Sequence, residues 1–245
     1  MNGASIVIPT YNGLDLLQRC VHSIRRYTDA PYEIVVVDNA STDGTAVWCL
    51  KEKLALVSLS ANEGFPIACN KGLRFASGET LVLLNNDTVV TPNWLSNMSA
   101  ALYSSPEVGI VGPVTNYASG SQQVHYPFED LAEFQRIAEA VNVPDRAKWK
   151  KVERLVGLCF VFRRSLMEKI GLLDERFSPG HYEDDDYCLR ARLHGYGLIV
   201  CHDALIYHEG SASFKRAGAE RQAQLVERNY RMFVDKWHLD PRSFI

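Results

Sequence analysis

No pair of cysteines in this 245-residue chain has CxxC spacing; Cys20, Cys49, Cys69, Cys159, Cys188 and Cys201 stand singly. That argues against a zinc ribbon or a disulfide scaffold, and reads instead as buried free thiols in a reducing compartment. Apolar runs stay far below the ~20 residues that span a bilayer. Neither sign of charge dominates: 26 Lys and Arg against 29 Asp and Glu leave a net charge of −3. Wholesale nucleic-acid binding is thereby excluded. There is no G-x-G-x-x-G turn after the first strand and no GxxxxGK[ST] loop, so a bound phosphate is expected on a metal rather than in a glycine cradle. Internal repeats and low-complexity tracts are also missing. The chain opens almost directly on a strand, which leaves no room for a signal peptide and points to a cytoplasmic protein.

What is present is a hydrophobic fraction of 47%, enough for one large domain or two small ones. The most telling stretch is Leu81-Val82-Leu83-Leu84-Asn85-Asn86-Asp87-Thr88. Its four apolar residues predict a strand buried on both faces. The polar residues that follow lie where open α/β sheets place ligands, at the carboxyl end of a strand. Asp87 there suits a hard cation and, through it, a phosphate. A plain turn also favours Asn and Asp, so the surrounding pattern has to decide.

That pattern is β-α-β-α-β-α-β. An apolar strand at 5–8 ends in Pro9-Thr10-Tyr11-Asn12. Leu16, Leu17, Cys20, Val21 and Ile24 then recur at helical spacing. A strand at 32–37 runs into Asp38-Asn39 and a polar turn that caps the next helix. A third strand at 54–59 and a helix at 67–75 precede the Leu81 strand. Such alternation implies a parallel sheet with right-handed crossovers. Three polar clusters, 10–12, 38–39 and 86–87, therefore fall on one sheet edge, as a nucleotide site requires and core packing does not.

Further on, strands are predicted at 108–113, 156–162, 198–200 and 204–207, and helices at 128–141 and 165–170. The looser, charged segment from about 115 to 150 reads as an insertion near the mouth of the site. It divides one continuous domain into a nucleotide-binding half, 1–115, and an acceptor-binding half with the catalytic base, 116–245. An amphipathic helix at about 219–238 is expected to close the core. Glu183-Asp184-Asp185-Asp186 opens a helix, where the dipole welcomes one or two acids. Four in a row demand a counter-cation or a raised pKa. His208 follows the last strand.

In this order, Ile6-Val7-Ile8-Pro9-Thr10-Tyr11-Asn12-Gly13, Val36-Val37-Asp38-Asn39-Ala40-Ser41-Thr42-Asp43-Gly44-Thr45, Asn62-Glu63-Gly64-Phe65, Cys69-Asn70-Lys71-Gly72 and Leu83-Leu84-Asn85-Asn86-Asp87-Thr88 resemble the family 2 glycosyltransferases. Gly171-Leu172-Leu173-Asp174-Glu175-Arg176-Phe177, Tyr182-Glu183-Asp184-Asp185-Asp186-Tyr187-Cys188-Leu189-Arg190 and Tyr207-His208-Glu209-Gly210-Ser211 continue the likeness to about residue 214. It is nearest to rhamnosyltransferase-like and other bacterial cell-surface glycan enzymes.

The resemblance implies a GT-A fold, with a Rossmann-like, mostly parallel sheet flanked by helices and a smaller acceptor side. It places Pro9, Thr10, Tyr11, Asp38, Asn39, Asn70 and Asn86 around a nucleoside-diphosphate-sugar donor. It makes Asn85-Asn86-Asp87 a DxD-type motif in which Asn replaces the leading acid. Asp87 and His208 become ligands of Mn²⁺ or Mg²⁺, Asp184 the general base, and Glu183 an acceptor-orienting neighbour. The implied reaction is inverting sugar transfer to a hydroxyl of a glycan, a lipid-linked glycan or a protein. A non-catalytic sugar-nucleotide or glycan-binding module is the alternative reading. A sugar-1-phosphate nucleotidyltransferase would want a basic, glycine-rich loop where Pro9-Thr10-Tyr11-Asn12 stands. The donor sugar, the oligomeric state and any peripheral seat on the inner face of the cytoplasmic membrane are left open.

Overall fold

The computed structural model describes residues 3–210 and 219–244. Ser211 of the last motif lies outside the described residues.

The first half alternates as expected: β1 (Ala4–Thr10), α1 (Leu14–Tyr27), β2 (Tyr32–Asp38), α2 (Thr45–Lys51), β3 (Ala55–Ser58), α3 (Phe65–Phe75) and β4 (Thr80–Leu84). A two-residue β5 (Thr88–Val89), α4 (Trp94–Leu102), β6 (Val108–Thr115), α5 (Leu131–Val141), β7 (Trp149–Val152) and β8 (Cys159–Arg163) follow. The chain then forms α6 (Arg164–Ile170), α7 (Glu183–Leu193), β9 (Gly197–His208) and α8 (Ala219–Trp237).

Among the described residues these strands make one nine-stranded sheet in the order β3-β2-β1-β4-β8-β6-β9-β5, with β7 on β9. The first four strands are mutually parallel, and β6 is parallel to β9, while β8 runs antiparallel between β4 and β6. The halves expected at 1–115 and 116–245 therefore interleave: β8 of the second lies between β4 and β6 of the first.

Alternation along each strand sorts the core into two layers. Ile6, Ile8, Val36, Val82 and Leu84 face one side, against α1 and α4. Val7, Val35, Val37, Leu81 and Leu83 face the other, against α3, α6 and α7. Gly72 lets α3 press onto that second face; a Cβ there would lie 2.3 Å from Val7 Cγ1. All six cysteines are free and buried. No helix among the described residues is long and apolar enough to cross a membrane.

Two differences from the sequence expectation matter for the site. The segment at 145–154 is not all loop: it contains β7, an edge strand whose exposed Lys150 and Lys151 blunt the sheet edge. The strands expected at 198–200 and 204–207 are one strand, β9, with an excursion in its middle. Pro113 pairs with Cys201, but Val114 pairs with Leu205, so residues 202–204 have no counterpart on β6.

The excursion is held from the 142–149 segment. Asp203 is 0% exposed; it accepts the Trp149 indole N–H at 3.1 Å and the Asp145 backbone N–H at 3.1 Å. Asn142 Oδ1 accepts the Leu205 N–H at 2.7 Å, and its amide donates to Thr91 Oγ1 at 2.9 Å. Asp203→Ala would strand two donors, each costing about 1–3 kcal/mol when buried unpaired. We expect a loss of roughly 2–4 kcal/mol in urea unfolding; a loss under about 0.5 kcal/mol would show that the excursion does not depend on Asp203.

Candidate active site

The carboxyl ends of β1, β2, β4, β6 and β9 all meet one edge of the sheet, where a cleft of about 1270 Å³ opens. Its walls include Pro9, Thr10, Tyr11, Asn39, Asn85, Asn86, Asp87, Glu183, Asp184 and His208. Strand ends in neighbouring register tie the donor-side clusters together. The Asn39 N–H donates to the Thr10 carbonyl at 2.9 Å, and Asn86 Nδ2 donates to Thr10 Oγ1 at 2.9 Å. Asn39 also shapes the neighbouring loop, accepting the Glu63 N–H at 2.8 Å and donating to the Gly64 carbonyl at 3.2 Å. Tyr11 stays 41% exposed, its ring available as a flat apolar surface.

Two residues expected around the donor are not on the cleft wall. Asn70 is 1% exposed; its amide donates to the Leu173 carbonyl and to Glu175 Oε1, both at 2.9 Å, and its carbonyl accepts the Leu173 N–H at 3.0 Å. Those bonds make it a clasp between α3 and the chain before α7, and correct its placement at the donor. Asp38 is 2% exposed and lies behind the wall, where it accepts the Ser41 N–H at 3.0 Å.

Asp87 and His208 come together because β5 pairs antiparallel with β9, Thr88 opposite His208 and Val89 opposite Tyr207. The Glu209 N–H then bonds the Asp87 carbonyl at 3.0 Å. His208 Nε2 stands 3.3 Å from Asp87 Oδ1, with both side chains nearly buried. Nδ1 lies 2.7 Å from the Tyr117 carbonyl. A carbonyl can only accept, so Nδ1 carries a proton and donates it. Nε2 is then either bare or protonated toward Asp87. Burial pulls the His208 pKa down, but the Asp87 hydrogen bond and charge outweigh it, and the net shift is upward.

The four acids of α7 meet four different fates. Glu183 is 7% exposed, and its Oε2 finds no hydrogen-bond partner among the described residues. Burial first, then the adjacent Asp184 charge, raise its pKa well above the usual carboxylate range. Asp184 accepts the Gly157 N–H on Oδ2 and the Asp185 N–H on Oδ1, both at 2.9 Å. Asp185 pairs with Arg154, yet burial and Asp184 push it up to about 7. Asp186 is fully buried; it holds Arg190 Nε at 2.9 Å, the Trp237 indole at 2.8 Å and the Lys236 ammonium. Asp186 thus fastens α8 to α7, and α8 lines the cleft through Gln222, Leu225 and Arg228. The remainder of α8 closes a small cluster of Phe177, Leu189 and Phe233 rather than the main core.

The sequence reading asked for a counter-cation without assigning it: on α7 itself Arg190 pairs with Asp186 at 2.9 Å, while Arg192 pairs with Glu153 at 3.3 Å. It overlooked Arg154, Asn116 and Tyr117. The rule that flagged Asn86 would have found Asn116, since it also follows a strand end.

A mainly parallel α/β sheet flanked by helices, with a cleft at the carboxyl ends of its strands, is the GT-A class of fold. The chain belongs to glycosyl transferase family 2, whose family model matches residues 5–171. It is 31% identical over 239 residues to the O-antigen biosynthesis protein RfbC of Myxococcus xanthus, covering 89% of this chain and 18% of that protein. It is 28% identical to the uncharacterized protein y4gI of Sinorhizobium fredii, covering 93% of this chain and 27% of that one. The chain thus spans only about a quarter or less of these two relatives. A similar solved structure is the mannosyltransferase PcManGT of Pyrobaculum calidifontis, in complex with GDP-Man and Mn²⁺. Its TM-score is 0.68 at 24% identity, with 96% of this chain and 65% of that one covered.

The fate of Glu183 has a measurable consequence. Its folded-state pKa lies above the unfolded value of 4.5. The stability it contributes is therefore whole below about pH 4.5 and is lost as pH rises toward the folded value. Glu183→Gln lacks this dependence, so the variant should gain on the wild type as pH rises above about 4.5 in urea midpoints. Parallel profiles there would show that Glu183 ionises normally.

Proposed function

We propose that this chain transfers a sugar, with inversion, from a nucleoside diphosphate sugar to an acceptor hydroxyl. The observation that carries the reading is the Asp87–His208 pair, 3.3 Å apart on the same cleft as Asp184. A bare Nε2 and a carboxylate oxygen at that distance repel unless a positive charge sits between them. A proton serves in the protein alone, and a divalent cation fits the same place. Asp87 and His208 would hold it, with the donor diphosphate and water completing the shell. One carboxylate and one imidazole suit Mn²⁺ and Mg²⁺, with the imidazole favouring Mn²⁺. When bound, the cation neutralises charge on the departing diphosphate. Complexes such as that of the Pyrobaculum enzyme with GDP-Man and Mn²⁺ support this donor and cation class.

The protein's own groups account for the remaining requirements. Thr10, Tyr11, Asn39 and Asn86 offer an aromatic face and fixed polar groups to the nucleoside. On Asp184, each oxygen already accepts one backbone N–H, leaving a second lone pair on each. Those N–H groups lock the carboxylate in place for proton transfer. The acceptor oxygen bonds the anomeric carbon, the bond to the diphosphate breaks with its electrons, and the acceptor proton passes to Asp184. A single displacement inverts the centre. Glu183, whose pKa burial raises, stands beside the base and can orient the acceptor. The likeness to an O-antigen biosynthesis protein supports a glycan or lipid-linked glycan as acceptor.

Thermal shift against UDP-, GDP- and dTDP-sugars with Mn²⁺ or Mg²⁺ tests the donor. One nucleotide class should raise the midpoint in a metal-dependent way, and Asp87→Ala should erase the rise. Asp184→Asn should keep that rise while lowering transfer about 10²–10⁴-fold, and the wild-type product should show inverted anomeric configuration by NMR. Donor-induced stabilisation with no transfer to any hydroxyl acceptor would favour a binding module. No stabilisation by any donor would remove the proposal.

A further inference from the structure

The β6–β9 ladder ends at Thr115 opposite Ile206, two residues before His208. Beyond that point a side chain takes over from the backbone. Asn116 Oδ1 accepts the His208 N–H at 2.9 Å, and Asn116 Nδ2 donates to the His208 carbonyl at 3.0 Å. One amide side chain thus engages both backbone groups of His208, as a neighbouring strand would. The next residue, Tyr117, accepts the His208 Nδ1–H through its carbonyl and sets its ring edge-on to the imidazole, centroids 5.8 Å apart. Gly210 leaves room for that ring: it has φ +86°, and a Cβ on it would lie 2.5 Å from Tyr117 Cδ1. On its other side His208 faces Thr88 of β5.

We propose that Asn116 is a positioning residue, which aims His208 Nε2 at the cation site by fixing the backbone of His208 against Tyr117. The inference rests on the reading that His208 ligates a divalent cation. Its physical basis is the tautomer. Nε2 is free to bind a cation only while the proton stays on Nδ1, and it stays there only while the ring keeps its bond to the Tyr117 carbonyl. Asn116 holds donor and acceptor in step, because it precedes Tyr117 in the chain and clasps His208 directly. Without it, His208 hangs from β5 alone, and the ring can turn away from Tyr117.

The test uses the full chain, with Mn²⁺ alone as probe and free Mn²⁺ counted by EPR. Asn116→Ala should weaken Mn²⁺ binding about 10–100-fold, as loss of a ligand's outer partner does. Asn116→Asp keeps an acceptor for the His208 N–H and should fall between wild type and Asn116→Ala; it also serves if the alanine variant does not fold. His208→Ala should bind at least as weakly as Asn116→Ala. A second readout needs no metal: long-range ¹⁵N–¹H NMR of neutral His208 should show the Nδ1–H tautomer in wild type and a shift toward Nε2–H in Asn116→Ala. Wild-type Mn²⁺ affinity and an unchanged tautomer in Asn116→Ala, with binding lost in His208→Ala, would overturn the role of Asn116 and leave the cation site standing. Full Mn²⁺ affinity in His208→Ala would overturn both.

Discussion

Two ladder pairs, Thr88 with His208 and Val89 with Tyr207, hold the site together. The pairing is only two residues long, yet it joins β5, just after β4, to the end of the last strand of the sheet. Without that pairing Asp87 and His208 would belong to separate strand ends. With it, a carboxylate and an imidazole lie within charge-pairing distance, and both are shielded from water. Everything else at the cleft is arranged around that junction. Thr10 and Asn86 bond to each other on the cleft wall, and α7 adds Glu183, Asp184 and Asp185 to the same cleft.

The run of acids on α7 shows how one helix end can carry more charge than its dipole would repay. The carboxylates meet different surroundings: Asp184 accepts backbone N–H groups, Asp185 pairs with Arg154, Asp186 with Arg190 and Lys236, and burial raises the pKa of Glu183. The division separates duties. Asp186 is spent wholly on structure, and by binding Lys236 and Trp237 it sets a helix that lines the cleft. Asp184 is held in place by two backbone N–H groups, with a second lone pair left on each oxygen.

Local pattern made most of the donor half legible. Strands buried on both faces and ending in polar residues placed Thr10, Asn39, Asn86 and Asp87 on one edge, and the structure puts all four on the cleft wall. Family likeness added Glu183, Asp184 and His208, whose spacing alone says little. Periodicity could not see contacts made across long stretches of chain. Asn70 carries a motif, but its partners Leu173 and Glu175 lie more than a hundred residues on, and they turn it into a clasp. Arg154 and Asn116 sit in a segment with no recognisable pattern, and only the fold shows what they face. The two strands expected around residue 202 proved to be one, because Asp203, Asn142 and Trp149 satisfy an irregularity that sequence alone reads as a break.

That irregularity also works as a ruler. The three residues 202–204 are chain inserted between the part of β9 fixed to the core and the part that delivers His208. A strand advances about 3.3 Å per residue, roughly the present separation of Nε2 from Asp87. A residue removed or added there is absorbed by the unpaired excursion only while Leu205 and Ile206 keep their register on β6; if that ladder slips instead, the imidazole slides past its carboxylate by a full step and turns to the opposite face of the strand, with every motif residue intact. Descent with changes of length at this point could therefore silence or re-tune the site invisibly to any comparison that scores only which residues are kept.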